Sequence, residues 1–343
     1  MLSASALLLC GLPLFSQTFG EITGRVSDAS GAAVPGSVLT LTNVSTNAVR
    51  TTASTETGDY ALPALPPGTY NLRTEHTGFK SASSNGIEVQ VQQTVRLDFV
   101  LQVGQITESV QVSALADLLQ AENGTVGTVV DNKGITELPL NGRQYLNLVA
   151  LSPNVNTLAP SAGQAGSRQG GDRANQSISA AGQRIMYDNF TLDGVNNTDP
   201  NFNTYVVLPS IDALQEFKVQ TGVYPAEFGH NATQINVLTK SGGNNYHGAL
   251  FEFLRNDKLD ALPYSFTSKP QAKQPFKWND FGFELDGPVR IPKLFNGHNR
   301  LFFMGNYEAF RRRQNTQGLF SVPTAAMFGG DFSGLGTTIY DPA

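Results

Sequence analysis

The 343-residue sequence has one cysteine, one tryptophan and four histidines. Cys10 lies inside the apolar run Leu7, Leu8, Leu9, Cys10, Gly11, Leu12, so nothing downstream can build a disulfide framework, a cysteine-based zinc site or a thiol nucleophile. Charge is scarce: 15% of residues, against about 25% in an ordinary soluble domain. The formal net charge of −5 excludes a global pull toward nucleic acid. The basic run Arg311, Arg312, Arg313 is isolated and reads as a solvated or lipid-headgroup-facing patch. Beyond residue 16 no stretch holds the roughly 18 apolar residues that a membrane helix needs. No H-x-x-E pair begins at His76, His230, His247 or His298, and the glycine-rich stretches carry no phosphate-loop lysine or G-x-S-x-G elbow. Asp193, Asn196, Asn197 and Asp199 form an oxygen-rich cluster, but without the order or distal Glu of an EF-hand loop they read as a structural turn. The expectation is therefore a protein with no catalytic, metal or cofactor site, and no enzyme.

What is present begins with Ala6 to Phe15, an apolar core like that of a secretory signal peptide, with cleavage after Ser16. Met1 to Ser5 carry no Lys or Arg, so 1–16 is an atypical signal; a buried N-terminal strand is the alternative. From Gly20 on, short strands alternate with turns. Val38 to Thr42 alternates, Gly58–Asp59 and Pro66–Pro67–Gly68 mark turns, and a series from Tyr70 to Leu101 follows. Strands at this spacing, without helix signals, predict an all-β sandwich over 20–102. Gly58 and Gly68 supply turn conformations, while Tyr60, Leu65 and Tyr70 supply core surface.

The segments GRVSDASGAAVPGSVLTL, TETGDYALPALPPGTYNLRTEHTGF and VRLDFVLQ resemble the carboxypeptidase regulatory-like domain, a transthyretin-type sandwich. No peptidase accompanies it. Some relatives with this sandwich bind carbohydrate, though nothing here marks a sugar platform.

Next comes Thr107, Glu108, Ser109, Val110, Gln111, Val112, Ser113, Ala114. Alternating Val110 and Val112 among short polar residues make an extended edge on which a partner strand can pair. The segment resembles the TonB box of outer-membrane receptors; a plain linker strand is the alternative. Further on, Asn141 reads as the N-cap of a helix carrying Tyr145, Leu148 and Val149 and ending at Pro153. Residues 158–176 are a Ser/Ala/Gly/Gln-rich loop without periodicity. The succession LDG, IDALQEF, AEFG and INVLTKSG closely resembles the plug domain and plug-to-barrel junction of TonB-dependent receptors. Within it, Asp193–Gly194 is a strand-reversing turn pair. The resemblance makes Gly229 and Gly242 points of sharp bending against barrel and plug, and places Asn236 and Lys240 in the same structural motif. It also suggests plug-to-barrel ion pairs for Arg143, Arg173 and Arg184.

Trp278 to Val289 puts Phe281, Phe283 and Leu285 on one face and Asp280, Gly282, Glu284 and Asp286 on the other. Such alternation over about ten residues marks a membrane strand with an apolar outside and a polar lumen. Leu301 to Ala309 and Tyr246 to Arg255 are further candidates with poorer alternation; half-buried strands of a soluble sheet are the alternative.

The expected fold is mainly β: a carboxypeptidase-regulatory-like sandwich (20–102), a coupling strand and α+β plug (103–243), and the first strands of a transmembrane β-barrel (244–343). The whole resembles the Oar-like TonB-dependent receptors. That resemblance implies an outer-membrane location with the sandwich in the periplasm and an inner-membrane TonB-type energy-transducing complex as partner. It also implies contact with outer-membrane lipid and a bulky substrate, a glycan or a peptide, that the sequence does not identify. Cell-surface adhesion or carbohydrate binding by the sandwich, without transport, is the alternative.

Three candidate strands share the 99 residues from Asn245 to Ala343. Receptors of this kind close with about 22 strands, so the chain is expected to be a C-terminally truncated fragment. Strand one is expected to run outward, 258–276 to form an external loop, 288–299 a periplasmic turn and 314–343 a further outside loop. A cysteine placed at Ser268 in the full-length protein should then be labelled in intact cells. Labelling only after the outer membrane is opened contradicts this topology.

Overall fold

The computed structural model describes residues 18–106, 109–111, 125–140, 143–157, 178–184, 187–200, 204–224, 233–262, 264, 266, 273–315 and 321–336. The signal segment 1–16, Thr107, Glu108, Val112, Ser113, Ala114, Asn141, Arg173, Gly229 and Ser268 lie outside the described residues. The chain divides into two compact units, Met1–Leu250 with Gly282–Glu308 and Phe251–Phe281 with Ala309–Ala343.

The first domain is built by residues that alternate between core and solvent. Its strands are β1 (Gly20–Asp28), β2 (Val38–Asn43), β3 (Val49–Ala53), β4 (Asp59–Leu65), β5 (Gly68–Glu75), β6 (Ser81–Val89), β7 (Thr94–Arg96), β8 (Phe99–Leu101) and β9 (Ser109–Gln111). One sheet has the order β4-β1-β7, with β8 also on β1; the other runs β3-β2-β5-β6-β9. Ile22 and Val26 from β1 meet Leu39, Leu41, Leu72 and Ile87 from the facing sheet in one continuous core. Burying side chains of this kind supplies about 1.5–3 kcal/mol each. Two tyrosines bury their rings and still satisfy their hydroxyls. Tyr60 donates to the Leu97 carbonyl at 2.5 Å and Tyr70 to the Pro66 carbonyl at 2.5 Å. The segment through Leu97 crosses β1 at Gly24, where an added Cβ would lie 1.9 Å from the Leu97 oxygen.

The second domain contains β10 (Gly127–Asp131), α1 (Asn132–Glu137), a 3₁₀ helix (Tyr145–Leu151), β11 (Val155–Thr157), β12 (Ile178–Ala180), β13 (Asp188–Leu192), β14 (Val195–Asn196), β15 (Thr198–Asp199), β16 (Thr204–Tyr205), β17 (Leu214–Thr221) and β18 (Thr233–Thr239). Its main sheet has the order β10-β17-β18-β13-β14. Only the β13–β18 pair is parallel. Asp131 caps α1 by accepting from the Gly134 amide at 2.8 Å. Asp193 and Gly194 sit at φ 50° and 79°, the two left-handed positions that fold β13 back into β14. Tyr145, Leu146, Leu148 and Val149 are buried against Phe217, Val219, Ile235 and Val237. The helix expected here is 3₁₀ rather than α, starting after Gln144. The run between Arg143, at φ 51°, and Pro153 is too short to repay α nucleation, and i to i+3 bonds close it instead.

Three long strands follow, β19 (His247–Asn256), β20 (Phe276–Pro288) and β23 (Phe302–Gln314), ordered β19-β20-β23. Between the last two, β21 (Arg290–Ile291) and β22 (Phe295–Asn296) form a small hairpin within the expected turn. On β20, Asp280, Glu284 and Asp286 are buried while Phe283 and Leu285 are exposed, as the alternation implies. β23 extends further than the alternation suggests, because Arg311, Arg312 and Arg313 continue it. The Arg311 guanidinium lies over the Phe281 ring, 5.8 Å from its centroid, so this part of the basic run rests on an aromatic strand neighbour. In the second unit, Trp278 meets Phe310 edge-on at 4.8 Å, and Arg255 lies 5.5 Å from the Trp278 centroid. Among the described residues no helix is long and apolar enough to cross a membrane.

Because Gly24 is where two backbones touch, Gly24→Ala is expected to cost the sandwich about 3 kcal/mol through overpacking. A lowered urea midpoint for the sandwich transition is the expected result. An unchanged midpoint contradicts the crossing at Leu97.

Candidate functional site

The coupling-strand candidate is described only at its centre. Ser109, Val110 and Gln111 pair in parallel with Ser81, Ala82 and Ser83 of β6, extending the five-stranded sheet by one short edge strand. A three-residue ladder is a small attachment, and among the described residues β9 has no strand on its other side. Its backbone groups there are the kind a partner strand can use. Immediately before it, the chain is tied to the sandwich by the Lys80 amide to Gln102 carbonyl (2.8 Å) and Gly104 amide to Gly78 carbonyl (3.1 Å) bonds.

The central sheet of the second domain has two different faces. Phe217, Val219, Ile235 and Val237 project into the apolar core. The alternate residues, Glu216, Lys218, Gln220, Gln234 and Asn236, are polar and yet also buried. Neighbours on the same face share hydrogen bonds. Asn236 Nδ2 donates to Gln220 Oε1 at 3.2 Å, Thr191 Oγ1 to Asn236 Oδ1 at 2.7 Å, and Asn189 Nδ2 to Gln234 Oε1 at 2.7 Å. Over this face lies a turn of the sandwich. The Val91 amide donates to Glu216 Oε1 at 2.5 Å, while Lys218 Nζ donates to the carbonyls of Val91 (3.4 Å) and Gln92 (3.0 Å). Asn236 Nδ2 also reaches Gln92 Oε1 at 3.3 Å. Two opposite charges two residues apart on β17 thus grip both backbone groups of Val91. Removing either side chain leaves a buried amide or carbonyl of the turn without its partner, a loss of about 1–3 kcal/mol.

A second set of charges ties this domain to the long strands. Arg143 bonds Asp212, just before β17, and its Nε lies 3.3 Å from Glu308 Oε1 on β23. Lys240 Nζ lies 3.8 Å from Glu284 Oε2 on β20. Gly242 follows, where a Cβ would stand 2.4 Å from the Phe303 oxygen and 2.9 Å from the Gly287 oxygen, so only glycine lets the chain pass. Asn244 then donates through Nδ2 to Asn299 Oδ1 at 2.7 Å and accepts from the Asn299 amide at 2.7 Å. Asn47 of the sandwich donates to the same Asn299 oxygen at 3.1 Å. Asn47 and Asn299 both occupy left-handed turns, at φ 58° and 63°, which asparagine tolerates well.

Of the expected site residues, the structure brings Asn236, Lys240 and Gly242 to these contacts. Asp193 accepts from the Thr239 amide at 2.8 Å and its hydroxyl at 2.9 Å, holding the end of β18. Asn196 accepts from the Thr198 amide and Asn197 bonds the Val207 backbone, and no group of three or more metal-ligating side chains occurs among the described residues. Of the three arginines suggested for ion pairs, Arg143 pairs with Glu308 of β23, and Arg173 lies outside the described residues. Sequence reasoning missed Glu216, Lys218 and the turn at Val91 and Gln92. The available signal was the polar alternation of EFKVQ and TQINV, which looks like a solvated face until something covers it.

Residues 21–102 match the carboxypeptidase regulatory-like domain, and residues 238–343 match the outer membrane beta barrel domain. Over 326 residues the chain is 27% identical to the TonB-dependent transporter Oar of Myxococcus xanthus, covering 91% of this chain and 29% of that protein. The chain therefore spans less than a third of this curated relative. Among solved structures, the siderophore receptor PirA from Acinetobacter baumannii is 20% identical with a TM-score of 0.35, covering 48% of this chain and 22% of that one. The ferric enterobactin receptor PfeA from Pseudomonas aeruginosa is 20% identical with a TM-score of 0.33, covering 48% of this chain and 23% of that one.

Burial on both faces of this sheet has a consequence for pH. It pushes the Asp188 carboxyl up to about 8. It also pushes Glu216 up to about 7, against the opposing Val91 amide and Lys218. Lys218 is held down to about 8 by burial, with Glu216 opposing. A raised carboxyl keeps its proton in the folded state where the unfolded chain has lost it. Its contribution is therefore full below the ordinary carboxylate range and is lost as pH rises through the folded value. For Lys218 the sign reverses, and stability grows with pH above about 8. Relative to the parent, Asp188→Asn is expected to become progressively more stabilising as pH rises from about 4 to about 8, by roughly 1–3 kcal/mol in total. Chemical denaturation followed across that range checks this; a difference independent of pH contradicts it.

Proposed function

We propose that this chain, which matches the carboxypeptidase regulatory-like and outer membrane beta barrel domains and is 27% identical to the TonB-dependent transporter Oar over 91% of its length, is part of a plug-gated transporter of the outer membrane. Its second domain is the plug, tied to the lumen face of the first barrel strands. A TonB-type energy-transducing complex of the inner membrane adds a strand to the segment from Thr107 to Ala114 and pulls. The plug shifts, and a bulky substrate, a glycan or a peptide, passes through the barrel. No bond is made or broken, so the work is mechanical. The sandwich stands in the periplasm, next to the turn that carries Asn299.

The observation that carries this reading is the two-sidedness of β20 and β23. Glu284 and Glu308 point to Lys240 and Arg143 of the second domain. On the opposite side Phe283, Leu285 and Tyr307 are exposed, with Phe283 and Tyr307 stacked at 6.1 Å. A strand pair with charged contacts to a folded domain on one side and bare aromatics on the other suits a barrel wall between plug and lipid. The ion pairs suit a plug that must move, since charges that leave one another can be taken over by water as the lumen opens, whereas an apolar interface would resist wetting.

In the full-length receptor, a cysteine at Gln111 is expected to form a disulfide with a cysteine on the strand-forming segment of the energy-transducing partner. Replacing Val110 and Val112 by Pro removes two backbone donors and should abolish that cross-link while leaving outer-membrane levels unchanged. An unaffected cross-link, or none in the parent under energised conditions, contradicts strand addition at this segment.

A further inference from the structure

The sandwich has no task in the transport cycle just described, yet it touches both ends of the coupling route. At one end, β9 lies along β6 through the pairs Ser81 with Ser109, Ala82 with Val110 and Ser83 with Gln111. At the other, β6 ends at Val89 and leads at once into the turn whose Val91 and Gln92 are held by Glu216, Lys218 and Asn236. The turn is braced within its own domain. The Gln90 amide donates to Gln93 Oε1 at 2.8 Å, the Gln93 amide to the Gln90 carbonyl at 3.1 Å, and the Glu21 amide to the Gln93 carbonyl at 2.9 Å. Gln92 is fixed at φ 53°, and Val91 is fully buried.

We propose that the carboxypeptidase regulatory-like sandwich is the transmission of this receptor: a pull on the coupling strand passes through β6 and the turn at residues 90–93 to Glu216 and Lys218 at the centre of the plug sheet. The inference rests on the reading of Thr107 to Ala114 as the coupling strand. Two physical arguments carry it. First, the covalent path from Gln111 to the start of β10 at Gly127 has a contour of up to about 55 Å. The route through the sandwich is instead a continuous series of strand pairs and hydrogen bonds that any displacement must disturb. Second, the contact lands on a central strand, since β17 has β10 on one side and β18 on the other. Moving β17 disturbs the whole sheet, whereas a pull entering at β10 acts on its edge. Glu216 and Lys218 make the contact selective. They hold backbone atoms of Val91 rather than a side chain, so they grip the turn whatever residue occupies it.

The test uses the full-length receptor in cells, with Cys10 replaced by Ser and a reporter cysteine at buried Gln220. Its maleimide labelling is compared with and without an energised inner membrane, and cross-linking at Gln111 is followed in parallel. Two variants separate the sandwich from the plug. Glu216→Gln with Lys218→Met removes the grip, and a short flexible Gly-Ser insertion between Val89 and Gln90 loosens the turn while leaving every plug residue unchanged. Energised labelling in the parent is expected to exceed de-energised labelling, and both variants should reduce that excess by about ten-fold while keeping the Gln111 cross-link. If the charge variant labels rapidly without energy, its plug is not folded and the insertion variant alone decides. Should both folded variants label like the parent with the cross-link intact, transmission through the sandwich is overturned and the direct covalent route suffices. Loss of the Gln111 cross-link in the parent instead sinks the coupling-strand reading, and the transmission inference with it.

Discussion

Glu216 and Lys218 are two buried opposite charges on one face of a central strand, and the arrangement of the two domains depends on how their burial is compensated. The apolar face of the second domain's main sheet is self-sufficient, covered by Tyr145, Leu146, Leu148 and Val149 from the 3₁₀ helix. The polar face is not, because a desolvated carboxylate and ammonium need hydrogen-bond partners as well as each other. Val91 and Gln92 supply an amide and two carbonyls in a fixed turn. Domain association here follows from the satisfaction of polar groups more than from apolar area. Such an interface is specific in register and can open in the presence of water.

The same economy recurs where the second domain meets the long strands. Arg143 and Lys240 reach acids of β23 and β20, and Asn47, Asn244 and Asn299 converge on one turn. Gly242 lets the backbone pass within contact of Phe303 and Gly287. These contacts are directional and spread over few residues, which suits the proposed domain that is firmly seated at rest and displaced under tension. The cores of the sandwich and of the second domain, by contrast, are held by dense aliphatic and aromatic packing. Tension is therefore expected to separate domains before it unfolds them.

How much of this was legible in the sequence depends on whether local pattern or tertiary contact decides. The sandwich was legible because β1, β4 and β5 alternate buried and exposed residues, and glycine and proline mark their turns. Asp193–Gly194 was legible because few dipeptides adopt two successive left-handed conformations. The alternation of β20 was legible for the same period-two reason. The helix near Tyr145 was found but mistyped, since its buried residues fit either 3.0 or 3.6 residues per turn over so short a run. The continuation of β23 through Arg311 was hidden, because a cation over a strand neighbour's ring does not follow from hydropathy. Glu216 and Lys218 were hidden most deeply. An alternating strand states that its two faces differ, and only the partner surface tells whether the polar one is wet.

The central claim is that coupling strand, sandwich and plug sheet form one mechanical series. Hydrogen exchange of the full-length receptor, measured with and without the periplasmic domain of its energy-transducing partner at saturation, tests it most directly. The account expects the amides of β6, of residues 90–93 and of β17 to change protection together when the partner strand is bound. A change confined to residues 107–114, with β6 and β17 as protected as before, would contradict it.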